Sequence, residues 1–143
     1  MFKRRELRLP DKEYIDIANM QLEKAKQLLS FIPEHINIGD YATAINRSYY
    51  AAFHSLKALE ALSGYDSKKH SGTLSYFRRE YIKTHLLSES LSDIIEELKV
   101  LREDSDYNIT IQFNLQIATD SFEKAKIFVS EIEKYIKEET KQN

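Results

Sequence analysis

The chain has 143 residues, 42% of them hydrophobic and 31% charged, which suits one packed core and excludes a largely disordered protein. Three Gly and two Pro are too few for a loop-rich or many-turned β architecture, and no Cys is present for disulfides, iron–sulfur clusters, Cys-ligated zinc or thiol catalysis. A formal net charge of −2 gives no global signature of nucleic-acid binding.

Lys3, Arg4, Arg5 and Arg8 form a basic arm within residues 1–10, with no apolar run behind them to make a secretory signal. The first helix is expected after Pro10-Asp11, where Ile15, Ala18, Leu22, Ala25, Leu29 and Ile32 recur at steps of three and four, and Pro33 should end it. A second follows Gly39-Asp40, carries Ala42, Ile45, Tyr49, Ala52, Leu56 and Leu59, and stops at Gly64. A shorter third covers about Ser71 to Thr84 with Leu74, Phe77 and Tyr81 inward. The fourth shows Leu87, Leu91, Ile94, Leu98 and Leu101, ending in the polar run Arg102-Glu103-Asp104-Ser105-Asp106. The fifth has the longest stripe, Leu115, Ala118, Phe122, Ala125, Val129, Ile132 and Ile136, before a frayed polar tail over 138–143.

Short links between such stripes predict an all-α fold, an up-and-down antiparallel bundle of about five helices forming a single domain over residues 1–143. No stretch approaches the roughly 18–20 apolar residues that cross a bilayer. A soluble, cytoplasmic protein without membrane attachment is expected.

The second helix is apolar on two sides. Opposite its Ile45–Tyr49–Ala52–Leu56 stripe lie Ala44, Ala51, Ala58, Ala61 and Tyr50, together with Arg47 and His54 two turns apart on one face. Small Ala side chains let another helix come close, so the expectation is a homodimer through the second helix, with Arg47 and His54 at the contact's edge. Arg grips phosphate with a planar fork of donors, and His exchanges a proton near neutral pH. With RNA as substrate the neighbouring 2′-hydroxyl supplies the nucleophile, so this chemistry needs no metal and no cofactor. His35, His54, His70 and His85 lack the paired spacing of zinc helices. Spacing by itself also admits an ion pair or buried hydrogen bond that orders an interface. Arg78 and Arg79 with His85 show the same spacing at a helix end, where cations favour the helix dipole. Tyr49, Tyr50 and Phe53 suit base stacking or the core, and Asp104 and Asp106 suit solvent or a supporting role.

Asn46-Arg47-Ser48-Tyr49-Tyr50-Ala51-Ala52-Phe53-His54, followed by Lys57-Ala58-Leu59, resembles the central helix of HEPN domain proteins, especially their small stand-alone prokaryotic branch. Lys69-His70-Ser71-Gly72 through Phe77, Leu101 through Asp106-Tyr107, and Phe122-Glu123-Lys124-Ala125 to Phe128-Val129 agree in order. The resemblance implies an all-α bundle, frequent homodimers and a metal-independent endoribonuclease with an Arg-x(4–6)-His motif, here Arg47 and His54 as catalytic residues. Two subunits would face one cleft, with Ser48 and Tyr50 as substrate contacts. It further implies a toxin paired with a nucleotidyltransferase antitoxin. The alternative is a non-catalytic module that binds such a nucleotidyltransferase or a nucleotide. Two positions depart from the pattern: Ser48 stands where Asn, Asp or His often follows the Arg, and Leu56 where toxins inactivated by nucleotide transfer often have Tyr.

Overall fold

The three-and-four spacing of apolar residues becomes helix along the chain. A computed structural model describes residues 11–107 and 112–141. Its α-helices are α1 (Lys12–Asn37), α2 (Tyr41–Leu62), α3 (His70–Phe77), α4 (Glu89–Tyr107) and α5 (Leu115–Thr140), with a π-helical turn at Arg78–Ile82 and no strand among the described residues. The basic arm, residues 1–10, lies outside the described residues.

Pro33 does not end α1. It sits exposed inside the helix, which runs on to Asn37. Proline removes one ladder hydrogen bond, but Ile32 and Ile36 on this last stretch pack with Ile45 and Ala118, and that burial carries the helix past it. Gly39 is the real stop, at φ 78°, where a side chain would be strained. Asp40 then caps α2 by accepting a hydrogen bond from the Thr43 backbone N–H.

With three linking residues, α1 and α2 fold back along each other. Ile32 and Ile45 share one cluster, Ala25 and Ala51 another, and Gln21 meets His54. At the far end Tyr14 lies over Gly64, where an added Cβ would come within 2.8 Å of its ring. Positions falling along α1 therefore pair with positions rising along α2, an antiparallel register. Helix α4 is antiparallel to α2 as well, since Asp106 meets Asn46 and Arg102 meets Tyr50. Helix α5 packs on α1, α2 and α4. The architecture is the expected helical bundle, and α2 is its central helix, packed against α1, α3, α4 and α5.

The predicted inward faces of α1 and α5 are largely the observed ones, except that Leu115 is exposed and Phe128 joins the core. In α4 Ile95, absent from the expected stripe, is fully buried with Leu91 and Leu98. The polar run 102–106 is part of α4 and does not terminate it. Likewise Glu138 to Thr140 continue α5, and Lys141 closes it in the left-handed conformation. The third element begins at His70 and changes to π geometry at Arg78, with Lys83 N–H donating to the Arg78 carbonyl. Its Leu74, Phe77 and Tyr81 point inward as expected.

Candidate functional site

Helix periodicity puts Arg47, Tyr50 and His54 on one edge of α2, three and four residues apart. His54 is half-buried, and its Nδ1 lies 2.8 Å from the Gln21 side-chain oxygen on α1. An Nδ1–H donated to that amide oxygen leaves Nε2 as the lone-pair nitrogen. Burial, with the positive charge of Lys24, His70 and Lys57 nearby, holds the His54 pKa below its usual value. The imidazole is therefore neutral at pH 7 and equipped to accept a proton. Arg47 is exposed and donates from Nη1 to the Asn46 side-chain oxygen at 2.6 Å.

That Arg47 contact starts a polar chain along the α2–α4 seam. Asn46 donates to Asp106 at 3.1 Å, Arg102 donates to Asp106 at 3.2 Å, and the same Arg102 nitrogen reaches the Tyr50 hydroxyl at 3.5 Å. The Arg102 guanidinium also lies over the rings of Tyr49 and Tyr50, 4.9 and 5.6 Å from their centroids. Tyr49 is almost fully buried, and that burial pushes its pKa to about 12, so its hydroxyl stays protonated.

The first turn of α3 closes the other side. The His70 ring stacks on Phe53 with centroids 4.0 Å apart, meets Tyr50 edge-on at 5.7 Å, and has Nδ1 3.5 Å from the Tyr49 hydroxyl. Its position depends on the 63–69 loop, which a buried network ties to α2. Glu60, 1% exposed, accepts from Lys57 and from the Ser67 hydroxyl at 2.7 Å each, while Lys57 also reaches Asp66 at 2.8 Å. Burial opposes the Lys57 charge, but hydrogen bonds to Asp66 and Glu60 outweigh it and raise the pKa. Together these elements line one edge of α2 with an exposed guanidinium, two histidines and stacked aromatic rings.

Residues 12–135 match the HEPN domain family. The chain belongs to that family. A relative from Methanocaldococcus jannaschii, named as a candidate toxin, is 35% identical over 80% of this chain and 78% of its own length. A UPF0332 protein from Thermotoga maritima is 34% identical over 67% and 73%. A second candidate toxin of Methanocaldococcus jannaschii is 34% identical over 68% of this chain and 72% of its own. The HEPN family of this chain thus includes relatives carrying toxin names.

Within this HEPN fold Arg47 and His54 share an edge but not a bond. Seven residues separate them by about 10 Å along the helix axis. Arg47 is tied towards α4 through Asn46, and His54 towards α1 through Gln21. Tyr50 lies between them, partly exposed. Ser48, expected as a substrate contact, is fully buried and donates its hydroxyl to the Ala44 carbonyl at 2.8 Å, so it faces the core and not a ligand.

The alanine side of α2 also needs correction. Ala44, Ala51 and Ala58 are fully buried within one chain, where Ala44 packs with Ile32 and Ala118 and Ala51 with Ala25 and Val129. Their small size lets α1 and α5 approach, and no second copy can use that face. Leu56 is buried too, so the position where some HEPN toxins carry a modifiable Tyr points into the core here. Arg78 is occupied by Ser92 and Glu96 of α4, and His85 stands exposed in the following turn. Asp106 accepts from Asn46 and Arg102 and so ties α4 to α2.

Two residues were missed as site members: His70 and Arg102. Both lie in segments that carry the family resemblance, yet only folding brings them beside α2. Among the described residues no three His, Asp or Glu side chains converge as a metal-ligand group, and no helix is long and apolar enough to cross a membrane.

Proposed function

We propose that this HEPN protein is an endoribonuclease of the toxin type that uses no metal ion. The reading is carried by His54, a neutral imidazole whose Nδ1 is held by Gln21, which leaves Nε2 with its lone pair, on the same helix edge as Arg47. His54 Nε2 takes the proton of a ribose 2′-hydroxyl, and the resulting O2′ bonds to phosphorus. Arg47 stabilises the charge that builds on the non-bridging oxygens. The P–O5′ bond breaks and O5′ takes a proton from water, leaving a 2′,3′-cyclic phosphate on one fragment and a 5′-hydroxyl on the other, and the His54 imidazolium returns its proton to the solvent. Tyr50 offers a ring on which a base can stack.

The toxin names of its relatives support a role as the toxin of a toxin–antitoxin pair, and the HEPN resemblance makes a nucleotidyltransferase the antitoxin sought. Two copies would pair along the motif-bearing edge, where Ile17 and Met20 of α1 leave 45% and 71% of their surface exposed beside Gln21. The deciding experiment is RNA cleavage in EDTA. Wild type should cut and leave cyclic or 3′-phosphate ends, while Arg47→Ala and His54→Ala should lose activity by roughly 10²–10⁴-fold with helical content intact. His85→Ala should cut normally. If wild type binds RNA or a nucleotidyltransferase without cutting, the non-catalytic module is the correct reading.

A further inference from the structure

Arg47 is exposed, and a long cationic side chain in solvent samples many rotamers. A guanidinium that is to meet phosphate with two parallel donors has to be held in one of them. We propose that Asp106 is the positioning residue of Arg47, acting through the Asn46 amide. Its effect on rate rests on the endoribonuclease reading above; its effect on the placement of Arg47 does not. The carrying observation is a polar chain that runs in one direction. Arg102 Nη1 donates to Asp106 Oδ2 at 3.2 Å, Asn46 Nδ2 donates to Asp106 Oδ1 at 3.1 Å, and Arg47 Nη1 donates to Asn46 Oδ1 at 2.6 Å.

The direction follows from what each group can donate. An asparagine amide can turn over and exchange its oxygen for its NH₂, so by itself it has no fixed face. A carboxylate only accepts, and a guanidinium only donates. Asp106 therefore takes the Asn46 NH₂, and the amide oxygen is left towards Arg47. Asp106 is fixed in turn from α4. The Arg102 side chain is only 13% exposed, with its guanidinium over the Tyr49 and Tyr50 rings, and the Ser105 hydroxyl reaches Asp106 Oδ1 at 3.5 Å. A largely covered cation on α4 thus sets the rotamer of an exposed one on α2. Because Asn46 is neutral, Arg47 keeps its full charge for phosphate, which a carboxylate in that place would partly cancel.

Asp106→Asn breaks the direction at constant size. Its oxygen can face Arg102 only if its NH₂ faces Asn46. Asn46 then turns its own oxygen towards that NH₂ and presents a donor to Arg47, which is released. The Arg102 link is the more covered one and is kept, so the mismatch falls on Arg47.

The test reads placement and rate separately. Nitrogen-15 NMR relaxation reports the order of the Arg47 Nε–H group, whose signal is assigned by its loss in Arg47→Lys. Wild type should show a rigid group. Asp106→Asn and Asn46→Ala should each make it mobile and lower kcat on RNA about five- to tenfold. Circular dichroism and the melting temperature should stay near wild type. The double variant should lose no more than about tenfold, because both changes act through one side chain, whereas independent structural losses multiply. If Asp106→Asn does not fold, Asn46→Ala carries the same test. An Arg47 group that is mobile in wild type, or as rigid in the variants as in wild type, overturns the proposal, and so do losses that multiply. If wild type cuts no RNA, the endoribonuclease reading fails, and the Arg47 signal still decides whether Asp106 positions it.

Discussion

The two sides of α2 are built from similar sequence and do opposite work. One side, Ala44, Ala51 and Ala58, is fully buried because methyl groups let α1 and α5 close over it. The other, Asn46, Arg47, Tyr50 and His54, is only partly covered, because its neighbours are α3, the end of α4 and the polar flank of α1. A side chain's size decides how near the next helix comes, and that distance decides whether an edge is core or site. The same helix can therefore hold the bundle together and leave a polar, aromatic edge partly open.

The largest effect that would break this contrast is expected on the dry side. Ala51→Glu should bury an unpaired carboxylate between α1 and α5, costing about 4 kcal/mol or more, a large part of a small domain's stability. The variant should melt far earlier or fail to fold by circular dichroism. A folded Ala51→Glu whose only change is a split dimer would restore the subunit-contact reading of that face.

On the wet side the expected change is in rate and not in fold. His54→Ala and Arg47→Ala should leave the melting temperature within a few degrees of wild type while activity falls by roughly 10²–10⁴-fold. Gln21→Leu should act more mildly. It removes the acceptor that fixes the His54 tautomer, a hydrogen bond of about 1 kcal/mol, so about a five- to tenfold drop in kcat/KM is expected. An unchanged rate would show that Gln21 does not position the imidazole.

The smallest effect is a pH slope. His54 and His70 both have pKa values below the ordinary 6.5, so below that pH the unfolded chain binds more protons than the folded one. Their contribution to stability is therefore full above about pH 6.5 and declines as pH falls through the folded values. Denaturant titrations should show stability rising with pH across that window and flattening above it, with a shallower rise in His54→Gln. Asp66 and Glu133, whose values are lowered, act in the same direction at lower pH, near the carboxylate range. A His54→Gln slope equal to wild type would show that His54 is not held neutral by the fold.

Much of this fold was legible in the chain because helix packing writes itself into three-and-four spacing. Ala18, Leu22, Ala25 and Ile32 of α1 and Ala118, Ala125, Val129, Ile132 and Ile136 of α5 are buried where the spacing puts them. Pro33 misled because local propensity is weaker than the packing of Ile32 before it and Ile36 after it. The polar run of α4 misled for a related reason: Arg102 and Asp106 look solvent-bound in sequence but pair with α2.

By itself the sequence determined the class of fold, the rhythm of its faces, the start of the second helix after Gly39-Asp40, and the co-facing of Arg47, Tyr50 and His54, which follows from 100° per residue along one helix. Only the tertiary structure decided what covers each face. It turned the alanine side inward, buried Ser48, and brought Gln21, His70 and Arg102 to the motif across 33, 16 and 52 residues of chain from His54 and Tyr50. The physical reason is that periodicity records which residues share a direction, whereas proximity between helices depends on side-chain volumes and loop lengths summed over the whole core.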